Sequence, residues 1–293
     1  MGTYTLIGAT GNVGSLAAAR LLAAGQTVRP YLRNEAHAQH WRERGAQPFV
    51  GDLYDTGALV EAFSGADAAY LMTPTWFTAD DMFVENERAL DALSEAVSRA
   101  HLQRVVLLSS IGAHRPHGTG AILKLHAMER RFARLPHVTS IRAGWFMENY
   151  AGLVARVAET GVLPSMLSPL DMPVPMVATA DVGAAVAGAL TSVWSGQRVV
   201  ELEGPRRYSP DDVAATLAKV LGRAVQAQVL PETQWRDTWT AWGLTQASAS
   251  AMSEMLRGFN EGWITFERPQ AETTPGGTSL ESVLAGLVAR APQ

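Results

Sequence analysis

Short apolar runs alternate with amphipathic helical segments through the first half of the chain, and this alternation limits the fold more than any other feature. The runs are Tyr4–Ile7, Thr27–Leu32, Gln47–Val50, Ala68–Met72, Val105–Leu108 and Val138–Ile141. Between them, Val13, Leu16, Ala17 and Leu21 recur at helical spacing and stop at Gly25. Segments 35–44 and 56–63 read as helices, and Phe83, Leu90, Leu93 and Val97 mark a longer one. Strands that are apolar on both faces, each followed by a helix, belong in a parallel sheet covered on both sides. The expected fold is α/β, a Rossmann-type doubly wound sheet. Residues 1–144 would form most of it and residues 177–203 would complete it. The stretch 145–293 would then be mostly a small C-terminal substrate lobe. Within it, 181–190 reads as a helix, 198–202 as a strand, 210–221 and 232–259 as helical, and the region around Pro275-Gly276-Gly277 as a tail.

The first strand runs into Gly8-Ala9-Thr10-Gly11-Asn12-Val13-Gly14. Glycines between a first strand and a helix let backbone N–H groups face a pyrophosphate at the helix N-terminus. Gly8, Thr10, Gly11, Asn12, Val13 and Gly14 are therefore cofactor-binding candidates, with a ligand-free tight turn as the alternative. NAD binders end the second strand on an acidic residue that holds the ribose hydroxyl. Here the strand ends on Arg33, with no acid before Glu35. A guanidinium there suits a 2′-phosphate, so NADP(H) is expected over NAD(H), with Arg29 a weaker candidate. Asp52 and Leu53 fall beside the adenine, unless Asp52 only caps the next helix. Thr73 and Ser109 end the fourth and fifth strands and join the cofactor set.

Composition closes off other classes. The 293 residues include no cysteine, which excludes disulfides and thiolate chemistry, and 24 basic against 28 acidic residues leave a net charge of −4. That balance argues against nucleic-acid partners. No apolar run is long enough for a membrane span and no secretory leader is visible, so cytoplasmic residence is expected. His114, His117 and His126 lie close in sequence without a completing ligand set, so no metal is expected. Small molecules are the expected partners, bound by the chain alone or as a homodimer.

Five stretches, "GATGNVG", "YLRN", "GDLYD", "RVVLLSS" and "SIRAGWFMENY", resemble the NmrA-like group of atypical short-chain dehydrogenase/reductases. Within that group they are most similar to the type 2 quinone oxidoreductase and triphenylmethane dye reductase branch. The resemblance covers about the first 200 residues, and the tail "RGFNEGWITFE" less closely. It implies an NAD(P)-binding Rossmann fold, NADPH preference and a small substrate lobe. It also admits non-catalytic NADP(H)-binding redox sensors.

The wider class uses Tyr-x-x-x-Lys, and no tyrosine here has a lysine four residues on. Gly120-Ala121-Ile122-Leu123-Lys124 is instead similar to the lysine element of the isoflavone-reductase-like branch. Lys124 is one of only two lysines, with Lys219, and a lysine can shed a proton on burial where an arginine cannot. Lys124 is thus the catalytic candidate and a cofactor contact, the alternative being a solvated helix lysine. Trp76, Phe77, Ser110, Trp145, Asn149 and Tyr150 gather at strand carboxyl ends, and Trp263 is placed to close the pocket. Together they would stack a quinone-like or other conjugated aromatic molecule, whereas Phe146 reads as core. The leading expectation is an NADPH-dependent oxidoreductase, with the sensor second.

Overall fold

The computed structural model describes residues 1–267 and 271–291. Its first half contains β1 (Thr3–Ile7), α1 (Asn12–Ala23), β2 (Thr27–Leu32), α2 (Glu35–Glu43), β3 (Phe49–Val50), α3 (Thr56–Phe63), β4 (Ala68–Leu71), α4 (Met82–Arg99), β5 (Arg104–Ser110), α5 (Leu123–Phe132) and β6 (His137–Ala143). A 3-10 turn, Gly120–Ile122, leads into α5. The second half contains β7 (Trp145–Phe146), α6 (Val154–Thr160), β8 (Val162–Ser165), β9 (Met176–Val177), α7 (Thr179–Thr191), β10 (Gly196–Glu203), α8 (Pro210–Leu221), β11 (Gln226–Val229), α9 (Trp235–Ala241), α10 (Gln246–Asn260), β12 (Glu272–Pro275) and α11 (Leu280–Arg290).

Among the described residues, eight strands form one sheet in the order β12-β10-β6-β5-β4-β1-β2-β3, and every pairing in it is parallel. The fold is the α/β, Rossmann-type doubly wound sheet that the strand pattern demands. The chain moves outward from β1 in both directions, so the order reverses between β1 and β4. Ligands of open parallel sheets bind at such a crevice, outside the strand carboxyl ends.

Leu6, Tyr70, Val106 and Ile141 pack with Val13, Ala17 and Leu21 of α1 and with Val182, Val186 and Leu190 of α7 on one face. Leu71, Val105 and Leu107 pack with Leu59 and Phe63 of α3, Leu90 and Leu93 of α4, and Met128 and Phe132 of α5 on the other. Each fully buried Leu, Val or Phe contributes about 1.5–3 kcal/mol, so the sheet is held by its apolar contacts. The helix starts are defined locally. Asp81 accepts the N–H groups of Phe83 and Val84 at α4, and Ser209 and Asp212 form a reciprocal capping box at α8. A third apolar cluster joins Met147 and Tyr150 to α8, α9, α10 and α11. No helix among the described residues is long and apolar enough to cross a membrane.

The second half departs from the expected elements. The helical stretch 232–259 is broken, with α9 ending before Trp242 and α10 starting after Thr245, whose side chain accepts Ser248 N–H as its cap. The supposed tail at Pro275 is β12, paired with β10, and is followed by α11. Two short parallel pairs, β7 with β9 and β8 with β11, lie outside the large sheet. Each of these strands is two to four residues long and finds its partner far along the chain, so local periodicity carries no trace of it.

One contact governs how α10 seats. Gly120 has φ +54°, and a Cβ there would stand 2.0 Å from the Ala251 carbonyl oxygen and 2.7 Å from the Met255 nitrogen. Both are α10 backbone, which has no way to yield. Gly120→Ala is expected to cost more than about 3 kcal/mol in urea unfolding; a loss under about 1 kcal/mol would show that α10 can shift.

Candidate active site

The glycine turn is shaped by backbone proximity. Gly8 leaves β1 at φ +72°, and a Cβ on Gly14 would lie 2.3 Å from the Gly8 carbonyl oxygen. Gly11 N–H donates to that same oxygen at 2.9 Å. Gly11 is the N-cap of α1, no side chain caps the helix, and no acid occupies its first turn. Thr10, Gly11 and Asn12 are exposed while Val13 is buried. The first N–H groups of a twelve-residue helix are thus left at the β1–β4 crevice without a side-chain cap among the described residues. The glycine cradle and the uncapped helix end fit a dinucleotide diphosphate.

Arg33 is exposed at the end of β2, and no ion pair among the described residues includes it. Arg29 is committed elsewhere: its guanidinium donates to the Ser64 carbonyl at 2.7 Å and lies over the Phe49 ring. Asp52 does not cap α3. Its carboxylate accepts Tyr54 N–H, and Asp55 supplies the cap instead. Leu53 is buried beside it, and the Tyr31 hydroxyl donates to the Asp52 carbonyl at 2.7 Å.

Lys124 is not a solvated helix lysine, since it is 3% exposed. Its Nζ donates to the Pro74 carbonyl at 2.8 Å and lies 5.7 Å from the centre of the Trp76 ring. Asn86 on α4 donates to the Lys124 backbone carbonyl and steadies the first turn of α5. Burial brings the ammonium down to about 8 from the usual lysine value. Lys219, by contrast, is a surface residue paired with Glu281. The same α10 backbone that crowds Gly120 leaves no room for any side chain four residues before Lys124, which is why the tyrosine of the wider class has no place here.

Thr73 is buried just past β4. Trp76 follows at φ +48°, a left-handed conformation that is rare for a bulky residue. Trp76 and Phe77 pack with Met82, Ala121 and Ala251. Thr245 fastens this loop to α10, donating its N–H to the Phe77 carbonyl and its hydroxyl to Ala79, both at 3.0 Å. Trp145 is half-buried, with its ring edge-on to Phe259 at 5.6 Å. Phe146 packs against the sheet cluster. Tyr150 lies within the C-terminal cluster, and burial pushes its phenol well up. Asn149 is exposed. Trp263 is exposed along Gly258, and it is the adjacent Ile264 that lies against Gly112 beyond β5.

Ser109, expected as a cofactor contact, is engaged within the chain. Its hydroxyl turns into the interior and donates to Glu129 at 2.5 Å, leaving half-buried Ser110 as the serine nearer the strand end. Glu129 also takes both Nε and Nη2 of Arg142, at 2.9 and 2.7 Å, and Arg142 Nη1 reaches Glu267 at 2.6 Å. Burial opposes the guanidinium charge, and the two carboxylates more than offset it. Glu267 N–H in turn donates to buried Glu201 at 2.5 Å. This network ties α5, β5, β6, β10 and the segment after α10 together. Its one signal in the sequence is a charged residue, Arg142, inside the otherwise uncharged strand "VTSIRAG". His126 is held by the Ala113 carbonyl at 2.8 Å.

Residues 2–267 match the NmrA-like family. The chain belongs to that family. An NAD(P)H azoreductase of Xenophilus azovorans is 25% identical over 252 residues, covering 85% of each chain. A solved NADPH-dependent quinone oxidoreductase from Escherichia coli, complexed with NADPH, superposes on this NmrA-like chain with a TM-score of 0.81. Its identity is 22%, over 97% of this chain and 99% of the other. The triphenylmethane reductase of Citrobacter sp. also gives 0.81, at 16% identity over 98% and 99%. The two superpositions carry the fold.

Two measurements follow from this geometry. Arg33→Ala is expected to weaken NADP(H) binding about tenfold and leave NAD(H) binding unchanged, read by fluorescence titration. Lys124 favours its neutral form in the folded state, so it opposes folding below pH 8, and that opposition fades as pH rises toward the ordinary lysine value. Lys124→Met is therefore expected to be more stable than wild type at neutral pH. The gap should shrink by about 3 kcal/mol once the pH passes 10.5, the unperturbed value. A gap that does not vary with pH would contradict the burial of the charge.

Proposed function

We propose that this chain is an NADPH-dependent reductase that passes hydride to a quinone-like or other conjugated aromatic molecule. The observation that carries the reading is the buried Lys124 ammonium, held on the Pro74 carbonyl against Trp76 just beyond β4, on the carboxyl side of the sheet whose β1 leads into an uncapped helix N-terminus. The azoreductase, quinone oxidoreductase and triphenylmethane reductase relatives support it, since each is named for reducing a conjugated molecule.

In this reading the N–H groups at the start of α1 hold the diphosphate and Arg33 grips the 2′-phosphate. Thr73 and Lys124 stand where strand ends face the ligand. Bound NADPH would supply the hydride. Trp76 and Phe77 stack the acceptor, and the apolar wall they form with Met82 excludes water. A quinone that accepts a hydride becomes a hydroquinone monoanion, and one proton completes the hydroquinone. The Lys124 ammonium stabilises that oxyanion, donates the proton, and recovers it from water as an amine. With the acid at about 8, a side chain ordinarily too weak becomes a usable donor near neutral pH.

The sensor alternative gains no specific support, because the named relatives are reductases; binding of NADPH without turnover would be its signature. The reductase is tested by following NADPH consumption with a panel of quinones, and no rate above background would end it. Because the ammonium discharges as pH rises, kcat/KM is expected to fall through about 8. In Lys124→Arg, which stays charged, the fall is expected to vanish.

A further inference from the structure

The chain handles its two most deeply buried cations in opposite ways. Arg142 is met by Glu129 and Glu267. Lys124 makes no ion pair with any carboxylate among the described residues, and burial alone displaces its proton equilibrium. One of its three N–H donors goes to the Pro74 carbonyl. The Asn86 amide nitrogen donates to the Lys124 backbone carbonyl, while its Oδ1 is paired with no donor among the described residues, Lys124 Nζ included. The ring it faces, Trp76, belongs to one apolar cluster with Phe77, Met82, Met252 and Met255. A buried charge without a counter-charge is costly, and it persists where a ligand completes it.

We infer that Lys124 makes the acceptor site a charge filter, admitting conjugated aromatic molecules that are neutral or carry a sulfonate or carboxylate, and turning away cationic dyes of the same size. The inference rests on the reductase reading and adds the acceptor's charge class to it. A cation stacked on Trp76 would approach the ammonium in an apolar, water-poor setting where like charges repel strongly. The indole face, which would otherwise attract it, is already faced by Lys124 at 5.7 Å. An anionic substituent, or the oxyanion formed on reduction, supplies the missing partner and the acceptor for the unused N–H groups. The overall charge of −4 draws cations toward the protein, so exclusion of a cation can only arise locally.

The test compares a neutral anthraquinone, its sulfonate and a cationic triphenylmethane dye. Binding to the protein alone is read by tryptophan quenching, and turnover by NADPH consumption. Wild type is expected to bind the neutral and sulfonated molecules at least about tenfold tighter than the cationic dye, and to use them in the same order. Lys124→Arg should keep the order. Lys124→Met and Lys124→Gln, checked for folding by circular dichroism and for NADPH binding, should lose it, the sulfonate weakening and the cation gaining. Equal binding of cation and neutral molecule by wild type, or an unchanged ratio in both neutral variants, overturns the filter. If the binding order holds while nothing is reduced, the reductase reading falls and the filter stands.

Discussion

The seating of α10 on Gly120 is the contact on which the surroundings of Lys124 and Trp76 depend. Two stretches of backbone meet there at a distance that admits no side chain. One consequence is steric: a tyrosine cannot occupy the position four residues before Lys124. Another is electrostatic. With α10 in place the start of α5 is sealed from water, and Lys124 becomes a buried cation rather than a surface one. A third is local strain. Thr245 at the α10 cap holds the loop carrying Trp76, which adopts a backbone conformation that only surrounding contacts sustain.

Arg142 does for the interior what α10 does for the rim. One guanidinium joins α5 to β6 and to the segment beyond α10, with Ser109 drawn in through Glu129. Fully partnered buried charges of this kind specify arrangement more than they add stability. The contrast with Lys124 is informative because Glu129, the partner of Arg142, sits on the same helix α5 as Lys124. Where structure is needed, the charge is saturated; where chemistry is proposed, it is left open.

Much of the sheet was legible in advance. β2, α3 and α8 run over the segments that the apolar spacing marks out, because unbroken apolar runs and capped amphipathic helices leave few alternatives. The glycine turn was legible for the same reason, its need for close backbone approach being written in residue type. The second half was legible only in part. The expected single helix over α9 and α10 passed over the local stop at Gly243 (φ +87°) and the Thr245 cap, and β12 is four polar or proline residues, Glu272–Pro275, that form a strand only because β10 offers an edge. The inward turn of Ser109 was not legible, because its neighbours in the strand do not reveal that Glu129, twenty positions on, points at it.

What the sequence determined by itself is therefore the parallel sheet, the glycine turn after β1 and the arginine that ends β2. These depend on periodicity and residue type within a few positions of each other. What only the tertiary structure decided is the state of Lys124, the direction of Ser109, and the absence of space before the lysine. Each depends on the meeting of segments from 38 to more than 130 residues apart, or on the facing of one element by another. Burial and charge compensation are properties of those meetings, and no local pattern contains them.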